Sequence, residues 1–381
     1  MKHIVRFIIM AAIFAACEAE ESHISLRPPK DRTESSYSWY ASAISYPEGS
    51  DWREEGEPEG LQIILFADGK PIKKIPAGKK HETGIDSDMH IIAEGCIYTW
   101  YSNGNDIVVK KDGKELFRYY SDERIINMEV LNEDIYTLGM NSTRKGFVLR
   151  KNGDVLLDRA EGDLFPGMQT EDGLIHFFHS VGEGSKTFYH NSSDGRSEKI
   201  EMNADKVFDI VWHKGSIWCI ASLSYQFRPL LIKDGYIEFI EEIGADEIMY
   251  ARLIPAGETV YVEAAYRFMD TYSRTSLWRW SQRHHNFQVS SNVNGICGDE
   301  KGVCCVVNPW SEGGQGLIYR FDRSSKMPEG YIIFGPSALS LIKGKLYVGL
   351  SSVRNEKPLV WVDGETVGLD IKGYICRISE P

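Results

Sequence analysis

An Asp-Gly or Asn-Gly dipeptide returns six times at the same phase of a repeat along this 381-residue chain. The copies are Asp68-Gly69, Asp112-Gly113, Asn152-Gly153, Asp194-Gly195, Asp234-Gly235 and Asp363-Gly364. Each lies between two short runs rich in β-branched and aromatic residues. A two-residue type I′ turn needs positive φ at both central positions, which these residue pairs accept at low cost. Each dipeptide therefore marks a hairpin, and a chain punctuated this way is antiparallel β. Residues 207–241 show the unit most clearly. Val207–Trp212, Ser216–Ser222, Pro229–Lys233 and Tyr236–Ile240 read as four strands, the first pair joined by His213-Lys214-Gly215 and the last by Asp234-Gly235.

The unit repeats. Its second strand aligns as Ser38-Trp39-Tyr40, Ile97-Tyr98-Thr99, Ile135-Tyr136-Thr137, Ile175-His176-Phe177, Ile217-Trp218-Cys219, Val260-Tyr261-Val262, Val303-Cys304-Cys305 and Leu346-Tyr347-Val348. The central residue is Trp or Tyr in six of these eight copies, as expected where sheets bury both faces against their neighbours. After the first copy the spacing is about 38 to 43 residues, the period of a four-stranded blade. The seventh unit carries Asp322-Arg323-Ser324 in place of the turn dipeptide, and the sixth carries Ser281–His285.

First strands precede the aligned ones at Met89–Ala93, Asn127–Leu131, Phe208–Trp212, Met249–Ile254 and Ala338–Ile342. Unit one has none, because Lys30–Ser35 is polar. The chain instead ends on a surplus strand, Gly373–Ser379. Circular closure needs that arrangement, since the last strand then completes the first blade and no sheet edge is left open. The aromatic second strand and the Asp/Asn-Gly hairpin together resemble the β-propellers common among bacterial secreted lipoproteins. The likeness covers roughly residues 36–380 and implies eight four-stranded blades. Seven follow if Trp39–Lys74 lies outside the ring. There is no Trp-Asp blade end, kelch Gly-Gly pair or sialidase box. Two β-sandwiches would need a central linker and no constant period, and the sequence has neither feature.

The N-terminus reads as a targeting signal. A basic start, Met1–Arg6, leads into the apolar run Phe7–Ala16, which is too short to span a bilayer. Phe14-Ala15-Ala16-Cys17 resembles a bacterial lipobox, which implies a signal peptide at 1–16 and a diacylated Cys17. Residues 17–35 then form a polar tether and 36–381 the propeller. The acidic Glu18–Glu21 resembles the export signal for the outer face of the outer membrane. The expected address is the cell envelope, an outer-membrane lipoprotein on the surface or in the periplasmic leaflet. The membrane is met through the lipid anchor.

Apolar content of 42% and aromatic content of 12% are enough for a folded core. A formal charge of −12 without basic clusters excludes nucleic acid as a partner. Function should sit on long loops held by the rigid ring. In each blade the tight turns share one face, and the second-to-third loops and blade connections share the other. The long loops on that second face carry Trp52 in unit one, Tyr225, Phe227 and Arg228 in unit five, Tyr266, Arg267 and Tyr272 in unit six, and Trp310 in unit seven. Aromatic rings beside hydrogen-bonding groups suit a sugar or an exposed peptide, and these eight residues are the candidate binding surface.

Other chemistry is thinly supported. Asp51, Glu54, Glu55, Asp270 and Glu312 could supply a carboxylate pair for glycoside cleavage, but no spacing singles out two of them. His176 and His179 stand an odd number of residues apart on a strand, so they face opposite ways and cannot chelate one metal. His284-His285 falls at a hairpin tip. No metal or cofactor motif occurs in a suitable context, and neither is expected. Cys297 and Cys304 flank a hairpin and are the one pair placed for a disulfide. The sequence thus points to an envelope binding or scaffold module for a glycan, a peptide or a partner envelope protein. Polysaccharide hydrolase or lyase action at the channel mouth is the alternative. A purely structural subunit of an envelope complex is the third.

Overall fold

The computed structural model describes residues 36–381 apart from 51–59, 78–89, 104, 142–145, 160, 166, 183–186, 203, 205, 223–228, 240–246, 269–271, 280–292, 300, 310–314, 321–322 and 355. The described chain is antiparallel β throughout, with one short 3₁₀ turn at Pro336–Ala338. Its strands form eight sheets. Seven run four strands deep from the centre outward, and the sixth has three described strands (Glu247–Ala256, Thr259–Phe268 and Tyr272–Arg279). Neighbouring sheets touch in sequence around a circle through their inner strands, from His90–Ala93 to Glu123–Leu131 and on to Leu339–Ile342, which meets Gly373–Ser379. That last strand in turn meets His90–Ala93 and closes the ring. The protein is a β-propeller.

Closure follows the sequence expectation. Gly373–Ser379 pairs with Tyr40–Ser45 as the innermost strand of the first sheet, outside which lie Gln62–Ala67 and Lys70–Pro76. Tyr40–Ser45, Gln62–Ala67 and Lys70–Pro76 therefore belong to the ring. Ile375 and Ile378 of the closing strand enter the core shared with the eighth sheet, and Cys376 enters the core shared with the second. Gly373 sits at φ +156°, and a Cβ there would overlap the Ile44 carbonyl oxygen.

The turn dipeptide does more than reverse the chain. Asp68, Asp112, Asn152, Asp234 and Asp363 have φ between 47° and 51°, and the glycine after each is also positive, as a type I′ turn requires. Each of these Asp or Asn side chains also accepts the N–H at the head of its own second strand. Asp112 Oδ1 takes Ile97 N at 2.9 Å, Asn152 Oδ1 takes Ile135 N at 2.9 Å and Asp234 Oδ1 takes Ile217 N at 2.8 Å. The backbone returns the bond, for example Asp112 N to Ile97 O at 2.7 Å. Three strands of a blade are tied at one point. Neighbouring blades use the same point: Lys73 of the first sheet reaches Asp112 at 2.6 Å and Gly95 O at 2.9 Å in the second.

The fourth sheet departs from this phase. Its outer turn runs over four residues, between Thr187–Ser192 and Ser197–Ile200. Ser193, one residue ahead of Asp194, takes the capping role and accepts Ile175 N at 3.0 Å. Asp194 instead holds Ser192 and Arg196. Two innermost strands are also broken. In the fourth sheet Asp163–Leu164 and Gln169–Glu171 share the place of one strand, and in the eighth Tyr331–Ile332 and Leu339–Ile342 do so. The interruptions carry Pro166-Gly167 and Gly335-Pro336, where proline offers no N–H to a ladder.

The aligned second-strand residues Trp39, Tyr98, Tyr136, His176, Trp218, Tyr261, Cys304 and Tyr347 are all buried. Packing, not recognition, accounts for them. Innermost strands are bulged in the first, third, fifth and sixth sheets. After the bulges stand Arg377, Asn127, Asp209 and Tyr250, so the extra residue re-aims a polar side chain in each.

Candidate binding site

A cleft of about 600 Å³ opens on the face that carries the inter-sheet connections. Four separate segments build it. Tyr250 and Arg252 come from the innermost strand of the sixth sheet, and Val293-Asn294 from the approach to the seventh. Asn308 follows the second strand of the seventh sheet, Gly302–Val307, and Ile332–Pro336 leads into the inner strand Leu339–Ile342 of the eighth. The volume is in the range of small-ligand sites.

Arg252 stands directly across the ladder from Glu263, each equally far from the Gly257 turn. Glu263 is 0% exposed and accepts both the Arg252 Nε–H and the Tyr250 hydroxyl, the latter at 2.8 Å. The ion pair fixes the guanidinium, whose side chain remains 36% exposed. Arg252 makes no other hydrogen bond among the described residues, so its four Nη hydrogens are left to the cleft. Behind it lies Asp209, which accepts Leu253 N at 2.8 Å and Ile210 N at 2.9 Å. Burial pushes the Asp209 carboxyl up to about 6, opposed by those two hydrogen bonds and by Arg252.

The opposite wall is held by Asn308. Its amide accepts Ile333 N at 2.8 Å and donates to Ile333 O at 2.9 Å. Its backbone N–H bonds Asn294 Oδ1 at 2.8 Å, and the Asn294 Nδ2 has no protein acceptor among the described residues. Phe334 stacks on Tyr374 with ring centroids 4.4 Å apart and is 38% exposed beside the cleft. The site thus presents an aromatic and aliphatic wall with fixed N–H donors.

Of the residues expected to form the binding surface, three lie on described strands. Tyr266 and Arg267 stand opposite Ile248 and Glu247, at the same end of the sixth sheet as Tyr250, and Tyr272 pairs with Phe268 there. Their side chains, like Trp52, Tyr225, Phe227, Arg228, Trp310 and Cys17, lie outside the described residues. The carboxylates Asp51, Glu54, Glu55, Asp270 and Glu312 also lie outside. The cleft residues that the loop reading missed are Tyr250, Arg252, Asn294 and Phe334. Arg252 and Glu263 leave a trace in the sequence, as opposite charges equidistant from a turn in two otherwise apolar strands.

Buried imidazoles lie elsewhere, and none lines the cleft. His176 and His179 do face opposite ways. His176 Nδ1 meets His190 Nε2 at 2.9 Å, and both rings stack on Trp212 of the fifth sheet. His179 packs at a tilt against Phe147 of the third sheet, with ring centroids 4.8 Å apart, and meets Asn191 at 2.8 Å. Burial pulls His179 and His190 down to about 4, and His90, hydrogen-bonded to Ser42 at 2.6 Å, down to about 3. No cluster of three or more metal-ligating side chains occurs among the described residues. Cys297 and Cys304 are cross-strand partners and both are free thiols.

No family model matches the chain, and no curated protein matches it. Solved structures do. Apo AztD from Citrobacter koseri is similar over 89% of this chain and 97% of its own, with 11% identity and a TM-score of 0.50. A second AztD structure from that organism gives 10% identity and a TM-score of 0.51 over the same shares. The dihydro-heme d1 dehydrogenase NirN, in complex with DHE, is similar over 89% of this chain and 80% of its own, with 11% identity and a TM-score of 0.55. The likeness is one of fold.

Proposed function

We propose that this protein is a non-catalytic binding module of the cell envelope, tethered through a lipidated Cys17, that takes a small ligand into the cleft of its loop-rich face. One observation carries the choice of binding over hydrolysis. No carboxylate lines the cleft among the described residues, and the nearest, Glu263, is fully buried and held by Arg252 and Tyr250. Glycoside cleavage needs two carboxyl groups that flank the scissile bond. The walls instead suit a ligand with one apolar face and hydrogen-bond acceptors around its rim.

A glycan and peptide array tests the site. Phe334→Ala and Asn294→Ala, both at the rim, should each weaken a specific ligand of the intact chain by about tenfold, roughly 1.4 kcal/mol. Unchanged binding in both would place the ligand elsewhere. The anchor is tested separately: Cys17→Ala should move the protein from the membrane to the soluble fraction, and full retention would contradict lipidation.

A further inference from the structure

We propose that the cleft selects neutral sugars and rejects acidic ones. This rests on the reading of the cleft as a binding site and names its ligand.

The polar groups free to meet a ligand are donors, the Arg252 Nη edge and the Asn294 Nδ2. Sugar hydroxyls and ring oxygens accept such bonds. An extended peptide brings its own N–H groups, whereas the side-chain oxygens of Asn294 and Asn308 in the lining are already engaged by backbone N–H groups. Phe334, Val293, Ile332 and Pro336 supply the apolar surface that the C–H face of a pyranose covers.

Charge decides between neutral and acidic sugars. A lone arginine in a cleft would favour a carboxylate, but this arginine is already compensated. Glu263 lies against its Nε, and Asp209 sits behind it, bonded to the backbone of the next residue, Leu253. Glu263 is fully buried and Asp209 is half-buried, so screening between them and a charge in the cleft is weakened and like charges repel at longer range. A uronate on the Nη edge would be the third negative group around one positive one. A neutral hydroxyl in the same place gains the N–H bonds without that repulsion. The chain's formal charge of −12 adds a field of the same sign.

Matched pairs that differ only at C6 provide the test: methyl glucoside, galactoside and mannoside against their uronates. Titration uses the full chain in a non-glycosidic detergent. The neutral member of at least one pair should bind at least tenfold more tightly than its uronate. Glu263→Gln, which keeps the shape and removes one charge, should narrow that ratio at least threefold, with the thermal midpoint checked alongside. If that variant does not fold, Asp209→Asn carries the same expectation. A uronate that binds as well as or better than its neutral partner would overturn the selectivity and leave the binding site standing. No binding by any sugar would overturn the ligand assignment. A peptide captured on the array and lost in Phe334→Ala would still support a binding module.

Discussion

Deleting Gly373–Pro381 should leave a chain that no longer melts cooperatively. The closing strand buries Ile375 and Ile378 against the eighth sheet and Cys376 against the second, so its loss opens two interfaces at once. Each buried aliphatic side chain contributes about 1.5–3 kcal/mol. The deletion also strips the ladder partner from Tyr40–Ser45, exposing the unpaired N–H and C=O groups of an edge strand in the middle of the ring. Against a total stability of about 5–15 kcal/mol, that loss is comparable to the whole. Gly373→Ala should act in the same direction on a smaller scale, about 1–3 kcal/mol, because its Cβ would overlap the Ile44 carbonyl oxygen. Thermal denaturation followed by circular dichroism, with gel filtration for aggregation, reads both. A truncated chain that melts within a few degrees of the intact one would mean that closure does not hold the fold together.

The second large effect is acid destabilisation that begins well above the carboxylate range. In the unfolded chain each histidine takes up a proton as the pH falls through about 6.5. Folded His90 stays neutral down to about 3, mainly through burial and secondarily through Arg377. His179 and His190 stay neutral down to about 4, again through burial first, aided by Arg159 and by His176 and Arg196. Each therefore favours the unfolded state increasingly between pH 6.5 and its folded value.

Two buried carboxyls act the other way. Burial raises Glu129 to about 7 and Asp209 to about 6, so each costs stability as the pH rises from about 4 to those values. Three imidazoles outweigh two carboxyls. Unfolding near pH 5 should take up about one proton net, and stability should fall by on the order of 4 kcal/mol between pH 7 and pH 4. Denaturant titrations across that range measure it. A flat profile down to pH 5 would contradict the neutral burial of these histidines. His90→Gln, which cannot be protonated, should remove most of that net fall, because His90 alone contributes about 3 kcal/mol of it.

The ring was legible because one side chain does two jobs. Asp112 or Asn152 both permits the positive φ of the turn and caps the second strand, so the residue type recurs at fixed phase and is visible without coordinates. The first strand of sheet four was not legible, and of that of sheet eight only Ala338–Ile342 was. Each is broken by a Pro-Gly or Gly-Pro pair, and a two-residue fragment such as Tyr331–Ile332 has no periodicity to detect. The cleft was hidden for another reason. It joins residues 250–252, 293–294, 308 and 332–336, which closure of the ring brings together and no local pattern connects. The loop reading pointed to the face on which the cleft opens. It looked past Arg252, because a charge in an innermost strand reads as an exception to the core until its partner, Glu263, is counted from the turn.

The most direct test of the central claim is to recover the ligand after binding. The sugar with the strongest array signal is incubated with the intact chain and with Phe334→Ala, then released and identified by mass spectrometry. A binding module should retain it only when Phe334 is present and return it chemically unchanged after prolonged incubation. Shortened or unsaturated products that form with the intact chain and not with Phe334→Ala would contradict the account and make the cleft the active site of a hydrolase or lyase.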